Sequence, residues 1–357
     1  MHKDDQMTPI ERKAALAKGQ PVDRYPITMF YGAPAHALLG WTRHMEVASA
    51  RNQADVQKKV YETFGCDGVS VSHGLHGMAI RYGAKMTAPD HVPIAILEHP
   101  VKDINDISML DLADISVEKD PTLSRGYEAM KILQDEIGDE CPCGLGLTGP
   151  FTTVSALVGT EVLLKNLGKN PEQIHRLLVF ATEATKILSE PFLKAGATVM
   201  IADPVASGTI ISKKRFLEFA APYLKQLTDH FNKFIPNSTA IHICGDTSKI
   251  LNDIVDCGFI CFSIDNVVDL HYAKEQVGNR IAIMGNVNPN AALYNGTPEE
   301  VKKAVRECCQ KGWDSPCGYT IATGCDSVYG TPLENSFAFM EEARKCAKYP
   351  YNQMNFK

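Results

Sequence analysis

The sequence predicts an α/β fold, a closed (β/α)8 barrel forming a single domain over residues 1–357, and three observations carry that prediction. Short apolar, β-branched runs recur along the chain with helical segments between them, the alternation that builds a parallel sheet. Eight such runs are present, at Tyr25–Phe30, Gly68–His73, Pro142–Thr148, Ala197–Asp203, Ser238–Cys244, Gly258–Ile264, Ile281–Asn286 and Tyr319–Gly324. Eight strand-then-helix repeats argue for closure into a barrel of the TIM type, and no Gly-x-Gly-x-x-Gly follows an early run to mark an open dinucleotide-binding sheet.

The remaining elements follow in chain order. Thr8-Pro9-Ile10-Glu11 combines an N-cap Thr, a Pro at the first helical position and a capping-box Glu, so a helical extension precedes the first strand. The connection from Gly74 to Cys141 is far longer than an ordinary loop and reads as an insertion after strand 2 that folds over one mouth of the barrel. Amphipathic patterns over Pro171–Ala195 and Ser212–Phe234 predict outer-ring helices. Thr297-Pro298-Glu299-Glu300 and Thr331-Pro332-Leu333-Glu334 repeat the capped-start pattern for the last two helices. No composition break, low-complexity tract or internal repeat marks a second domain.

Composition narrows the function. A hydrophobic content of 45% supplies a large core, and 36 basic against 42 acidic residues give a net charge of -6. Without a run of like charges, that balance argues against nucleic acid or an anionic membrane as partner and for a protein or small molecule. No apolar stretch is long enough to span a bilayer, and Met1-His2-Lys3-Asp4-Asp5 is too polar to open a secretory signal, so a cytoplasmic protein is expected. Eleven cysteines, an odd number in a chain this large, read as reduced thiols that mostly serve as small buried apolar groups.

Three of the chemically active residues stand apart from that background. His242 and Cys244, in His242-Ile243-Cys244-Gly245, close the fifth run, and Cys325, in Thr323-Gly324-Cys325-Asp326, follows the eighth. Side chains at i and i+2 of a strand share a face, so His242 and Cys244 both point to the barrel interior at the end where active sites sit. One imidazole and two thiolates make a three-ligand zinc set with an open position, as catalytic zinc uses. Such a set suits a substrate thiol, which ionises on the metal and stays nucleophilic. Water in that position would make a hydrolase instead. Asp203, Asp265, Asn286 and Asn288 close or follow other strands, and His73 and His76 lie in a loop after the second, where backbone or water is as good a partner for them as a substrate. Asp265 is open to three roles: fourth ligand, hydrogen-bond partner of His242, or cap of the next helix.

Several stretches carry a family resemblance: Asp23-Arg24-Tyr25-Pro26, Thr148-Gly149-Pro150-Phe151-Thr152, Ala202-Asp203-Pro204, Gly285-Asn286-Val287-Asn288-Pro289 and Thr331-Pro332-Leu333-Glu334-Asn335. Together they resemble the uroporphyrinogen decarboxylase superfamily over nearly the whole chain. Within it, His242-x-Cys244 and Cys325 resemble the zinc motif of the methylcobamide:coenzyme M methyltransferases. The resemblance implies Zn2+ on His242, Cys244 and Cys325, a methyl-corrinoid (methylcobalamin) presented by a small corrinoid-binding protein, and a thiol or methylated small molecule as second substrate. Tyr31, His73, His76, Asp203, Asp265 and Asn286 are the residues expected to line the substrate site.

Departures from the decarboxylases favour that branch. Where their Arg-Gln-Ala-Gly-Arg signature follows the first strand, this chain has Met29-Phe30-Tyr31-Gly32-Ala33-Pro34. Their Phe-Ser-Asp becomes Ser72-His73-Gly74, their Gly-His-Gly becomes Gly324-Cys325-Asp326, and their tyrosine after the third strand has no counterpart between Gly146 and Thr160. A departure from the coenzyme M enzymes is His73-Gly74-Leu75-His76-Gly77, which lacks their Thr- and Glu-containing run and leaves the thiol's identity open. Three alternatives stay in view: demethylation of a small methylated substrate onto a Co(I) corrinoid protein, uroporphyrinogen decarboxylation, and a non-catalytic barrel that binds a corrinoid or tetrapyrrole.

Overall fold

The computed structural model describes residues 2–30, 32–87 and 94–356. Its strands, in chain order, are β1 (Val69–Ser72), β2 (Lys85–Met86), β3 (Ile96–Glu98), β4 (Cys143–Thr148), β5 (Thr198–Ala202), β6 (Thr239–Ile243), β7 (Cys261–Ile264), β8 (Ala282–Val287) and β9 (Tyr319–Thr323). With β2 and β3 set aside as a small antiparallel pair inside the insertion, seven of the eight predicted runs are strands, each within a few residues of its expected bounds. The protein is an α/β barrel-type fold. Its contacts gather into two compact units: Met1–Ser70, Ala129–Gly144 and Cys261–Lys357 form one, Val71–Glu128 and Leu145–Ile260 the other.

In the second unit, β5 and β6 pair in parallel, Val199 opposite Thr239 and Ala202 opposite His242. The Gly149 N–H donates to the Ala202 carbonyl at 2.8 Å, and the His73 N–H to the Gly146 carbonyl at 3.2 Å, so the ends of β1 and β4 continue the same ladder. Helix Pro150–Val158 starts with Pro at its first position and is buried along its whole length. Helix Pro171–Lys194 buries Ile174, Leu177, Leu178, Ala181, Leu188 and Phe192 on one stripe, as its periodicity predicts. The stretch predicted as one helix over 212–234 is two, Lys213–Phe219 and Ala221–Phe231. Pro222 explains the break, because its ring clashes with the carbonyl one turn back and it has no N–H to give. The insertion packs on this unit's own helices: the Val101 N–H reaches the Leu157 carbonyl at 3.1 Å, and His99 Nδ1 lies 2.8 Å from the Ala156 carbonyl.

In the first unit, β7, β8 and β9 pair in parallel, Ser263 opposite Met284 and Val287 opposite Thr323. The run at 25–30, expected as the first strand, keeps one parallel bridge, Ile27 to Ile321, and one ladder bond, Thr28 N–H to the Ile321 carbonyl at 3.0 Å. The donors at its start are diverted or missing. The Tyr25 N–H goes to the Ala347 carbonyl, Pro26 has none, and the Ile27 N–H goes to Asp67 Oδ2 at 2.8 Å. Thr8 and Thr297 form the expected capping boxes. Thr331 does not: its hydroxyl donates to the Val328 carbonyl at 2.6 Å and the helix begins at Leu333.

Charge complementarity, which hydropathy patterns do not register, fastens this unit. Arg12, 1% exposed, places Nε and Nη2 each 2.8 Å from the Asp23 carboxylate and Nη1 on Asp67. Arg24 binds Asp5 through two bonds of 2.9 and 2.8 Å and reaches Asp67. Arg344 adds two more bonds to Asp5, each 3.2 Å. Burial alone would raise the Asp5 and Asp23 carboxyls. Hydrogen bonds from Arg24 and Arg344 to Asp5, and from Arg12 and the Gln6 and Met7 N–H groups to Asp23, reverse this and hold both below the ordinary 3.8.

A depressed native-state value stabilises the fold above the unfolded-state pKa and ceases to do so as pH falls through the native one. Asp23→Asn should therefore destabilise the protein by roughly 3 kcal/mol near neutral pH, because the Arg12 charge loses a two-bond partner inside the protein. Denaturant melts at successively lower pH should show the gap from wild type closing in acid, where Asp23 itself becomes protonated.

Candidate functional site

The His242 and Cys244 side chains meet at the end of β6. His242 is buried, at 7% exposure, and its Nε2 lies 3.1 Å from the sulfur of half-buried Cys244. The Asp203 N–H donates to the His242 carbonyl at 3.0 Å, which carries the parallel pairing as far as His242 itself. The i, i+2 alternation read from the sequence is thus realised. An imidazole nitrogen and a thiol this close form a two-point nest for a metal that accepts nitrogen and sulfur.

Cys325 follows β9 in the first unit. The Gly324 N–H donates to the Val287 carbonyl at 2.8 Å, and a Cβ on Gly324 would stand 2.5 Å from the Asn266 nitrogen. Glycine is needed there for the loops after β7 and β9 to pass. Cys325 itself is half-buried. Among the described residues no cysteine is in a disulfide, and six of the eleven are buried, as expected of reduced, mostly structural thiols. Burial pushes the Cys143, Cys257 and Cys261 thiols up to about 12, which leaves them protonated and inert.

The expected substrate residues have definite places. Asn286, at 8% exposure, donates through Nδ2 to the carbonyls of Asp265 at 2.9 Å and Val268 at 2.7 Å, closing the loop after β7. Asp265 Oδ1 accepts the Val267 N–H at 3.0 Å. The cap of the next helix is Asp269, whose Oδ1 accepts the Tyr272 N–H at 2.7 Å, so the capping role considered for Asp265 belongs four residues later. Asn288 caps the turn that follows β8, accepting from the Asn290 and Ala291 N–H groups.

Asp203 is fully buried and accepts the Thr152 N–H through Oδ1 at 2.7 Å, at the positive end of helix Pro150–Val158. Its Oδ2 is buried without a hydrogen-bond partner. Burial pushes the carboxyl up to about 6, against the Thr152 and Phe151 N–H groups that favour its charge. A Cβ on Gly149 would fall 2.2 Å from Oδ2, so Gly149 makes room for a cap supplied from another strand. Sequence reasoning placed Asp203 at the mouth and missed this bond. Pro150 was the available signal that a helix starts there without a capping side chain of its own.

His73 is buried, with Nε2 3.1 Å from Asp120 Oδ2, while Asp120 Oδ1 accepts the Thr122 and Leu123 N–H groups. Burial alone would raise the Asp120 carboxyl, but the His73 bond and these N–H groups hold it below the ordinary range. Gly77 must be glycine, since a Cβ would lie 2.4 Å from the His73 ring. His76 is half-buried, its Nδ1 has no hydrogen-bond partner, and burial lowers its basicity. Asp120 was missed because it lies well outside the motif it supports. Tyr31 lies outside the described residues.

These features define an α/β barrel protein whose metal-competent side chains stand at the C-terminal ends of strands, where such folds carry their chemistry. The sequence profile of the uroporphyrinogen decarboxylase family matches residues 8–346, and the chain belongs to that family. A methylcobamide:CoM methyltransferase of Methanosarcina mazei is 28% identical over 96% of this chain and 98% of its own length. A methylated-thiol–coenzyme M methyltransferase of the same organism is also 28% identical, over 97% of this chain and 90% of its own. A solved structure described as a methyltransferase from Methanosarcina mazei superposes with a TM-score of 0.79 at 28% identity, covering 95% of this chain and 98% of that one. Among the described residues no helix is long and apolar enough to cross a membrane.

Asn286→Asp tests the loop architecture. It turns a two-bond donor into a group facing two carbonyls, and should lower stability at neutral pH by roughly 2 to 4 kcal/mol, with partial recovery in acid as the new carboxyl gains a proton. Urea unfolding at two pH values checks both parts.

Proposed function

We propose that the protein moves a methyl group between a corrinoid carried by a small partner protein and a thiol such as coenzyme M, with zinc held by His242, Cys244 and Cys325. The chain is an enzyme of the corrinoid-dependent methyltransferase branch of its family, to which the relatives that match it over nearly its full length belong. The single observation that carries the metal reading is the 3.1 Å approach of His242 Nε2 and the Cys244 sulfur. We assign Cys325 as the second sulfur ligand, and one nitrogen with two sulfurs fits zinc. Zinc in that set would lower the pKa of an incoming thiol while its thiolate ligands keep the thiol's sulfur electron-rich.

The chain's own residues supply position. Asn286 and Asp265 hold the loop after β7, Asp203 ties β5 to helix Pro150–Val158, and His73 and His76 lie on the loop after β1, where we assign them to a substrate pocket whose occupant the departure from the coenzyme M enzymes leaves open. In the overall reaction the sulfur attacks the methyl carbon, the cobalt–carbon bond breaks, and its electron pair stays on cobalt, which passes from Co(III) to Co(I). Decarboxylation is disfavoured by segment 29–34, which has no arginine for a polycarboxylate. The relative that acts on methylated thiols favours a second reading, in which a methylated sulfur compound loads a Co(I) corrinoid protein. A cytoplasmic setting agrees with thiols kept out of disulfides.

Cys325→Ser should bring zinc content well below one per chain, and full occupancy would remove Cys325 from the ligand set. Purified protein given methylcobalamin and a panel of thiols should lose methyl-cobalt absorbance only when zinc is present. No zinc-dependent loss with any thiol, together with methylation of a Co(I) corrinoid by a methylated thiol, would select the second reading.

A further inference from the structure

Beyond Cys244 the loop after β6 is gripped by the loop after β5. Gly245 takes φ +77°, and a Cβ there would stand 2.6 Å from Thr209 Oγ1 and 2.7 Å from Ser207 Oγ. The Thr209 hydroxyl accepts the Asp246 N–H at 2.8 Å, and Ser207 Oγ accepts the Thr209 N–H at 3.2 Å. On the opposite side, a Cβ on Gly208 would meet the Asp246 carbonyl oxygen at 2.4 Å. Ser207 is 1% exposed, and its carbonyl takes the Ile210 and Ile211 N–H groups, each at 2.9 Å. The two backbones therefore interlock, with a glycine on each side of the crossing.

β6 ends at Ile243, so Cys244 stands just past the regular strand: the pleat gives its sulfur the same face as His242, and the turn that follows it sets the remaining distance and angle. We infer that Ser207 and Thr209 are positioning residues for Cys244. Through the Asp246 N–H and the close approach at Gly245 they fix the exit of the chain from β6, and with it the distance and angle between the Cys244 sulfur and His242 Nε2. The inference rests on the zinc reading above and adds a determinant of metal affinity that lies outside the ligands. Groups hydrogen-bonded to a metal ligand alter affinity by about 10 to 100-fold when removed, and a support two residues from the ligand is expected at the low end of that range.

Cobalt(II) substitution of the full-length protein tests it, because the intensity and position of thiolate-to-cobalt bands report ligand geometry independently of turnover. Thr209→Val keeps the side chain's shape and removes the acceptor. It should weaken cobalt and zinc binding by about tenfold and shift the thiolate bands, with the unfolding midpoint of the metal-free protein little changed. Thr209→Ser should restore both affinity and spectrum. Should Thr209→Val fail to fold, Ser207→Ala carries the same measurement. Wild-type affinity and spectrum in Thr209→Val and Ser207→Ala would overturn the inference alone, as would equal losses in Thr209→Ser and Thr209→Val. A wild-type protein that gives no thiolate band with cobalt removes the zinc reading and this inference together.

Discussion

The pleat of β6 is the constraint on which the chemistry depends. Because a strand returns its side chains to the same face every second residue, His242 and Cys244 emerge together, and the parallel register that sets Ala202 opposite His242 fixes their depth. A slip of one residue would turn the imidazole and the sulfur to the other face. Everything proposed for the site presupposes that register.

In each unit, polar residues at strand ends and in loops mostly serve the backbone. Asn286 satisfies two carbonyls, Asp120 two N–H groups, and Asp203 the start of a helix. Loops bent inward leave donors and acceptors that water does not reach, and each orphan would cost about 1 to 3 kcal/mol. A residue at a strand end in this protein can thus be essential to a site by keeping its walls standing, without touching what binds there.

The repeating runs made the strands legible, since burial on a parallel sheet leaves a plain apolar signature. The strand expected at 25–30 shrank to a bridge because Pro26 offers no donor and Asp67 captures the Ile27 N–H, a competition between groups distant in sequence. Pro222, inside a stretch whose amphipathic pattern runs on past it, cut one expected helix into two. His242 and Cys244 were readable as a pair because their spacing is local. The Asp203–Thr152 and Asp246–Thr209 bonds were not, because each joins residues that only the fold makes neighbours.

Asp5, Arg24, Asp67 and Arg344 form one ionic knot whose members lie as far as 339 positions apart in the sequence. A nascent chain leaving the ribosome would carry Asp5 and Arg24 well before the helix that bears Arg344 emerged. The segments over 71–260, by contrast, would already be complete. The ionic partners of Arg344 therefore wait, unpaired with it, while the residues between them are made, and this part of the core is completed only once that helix is available.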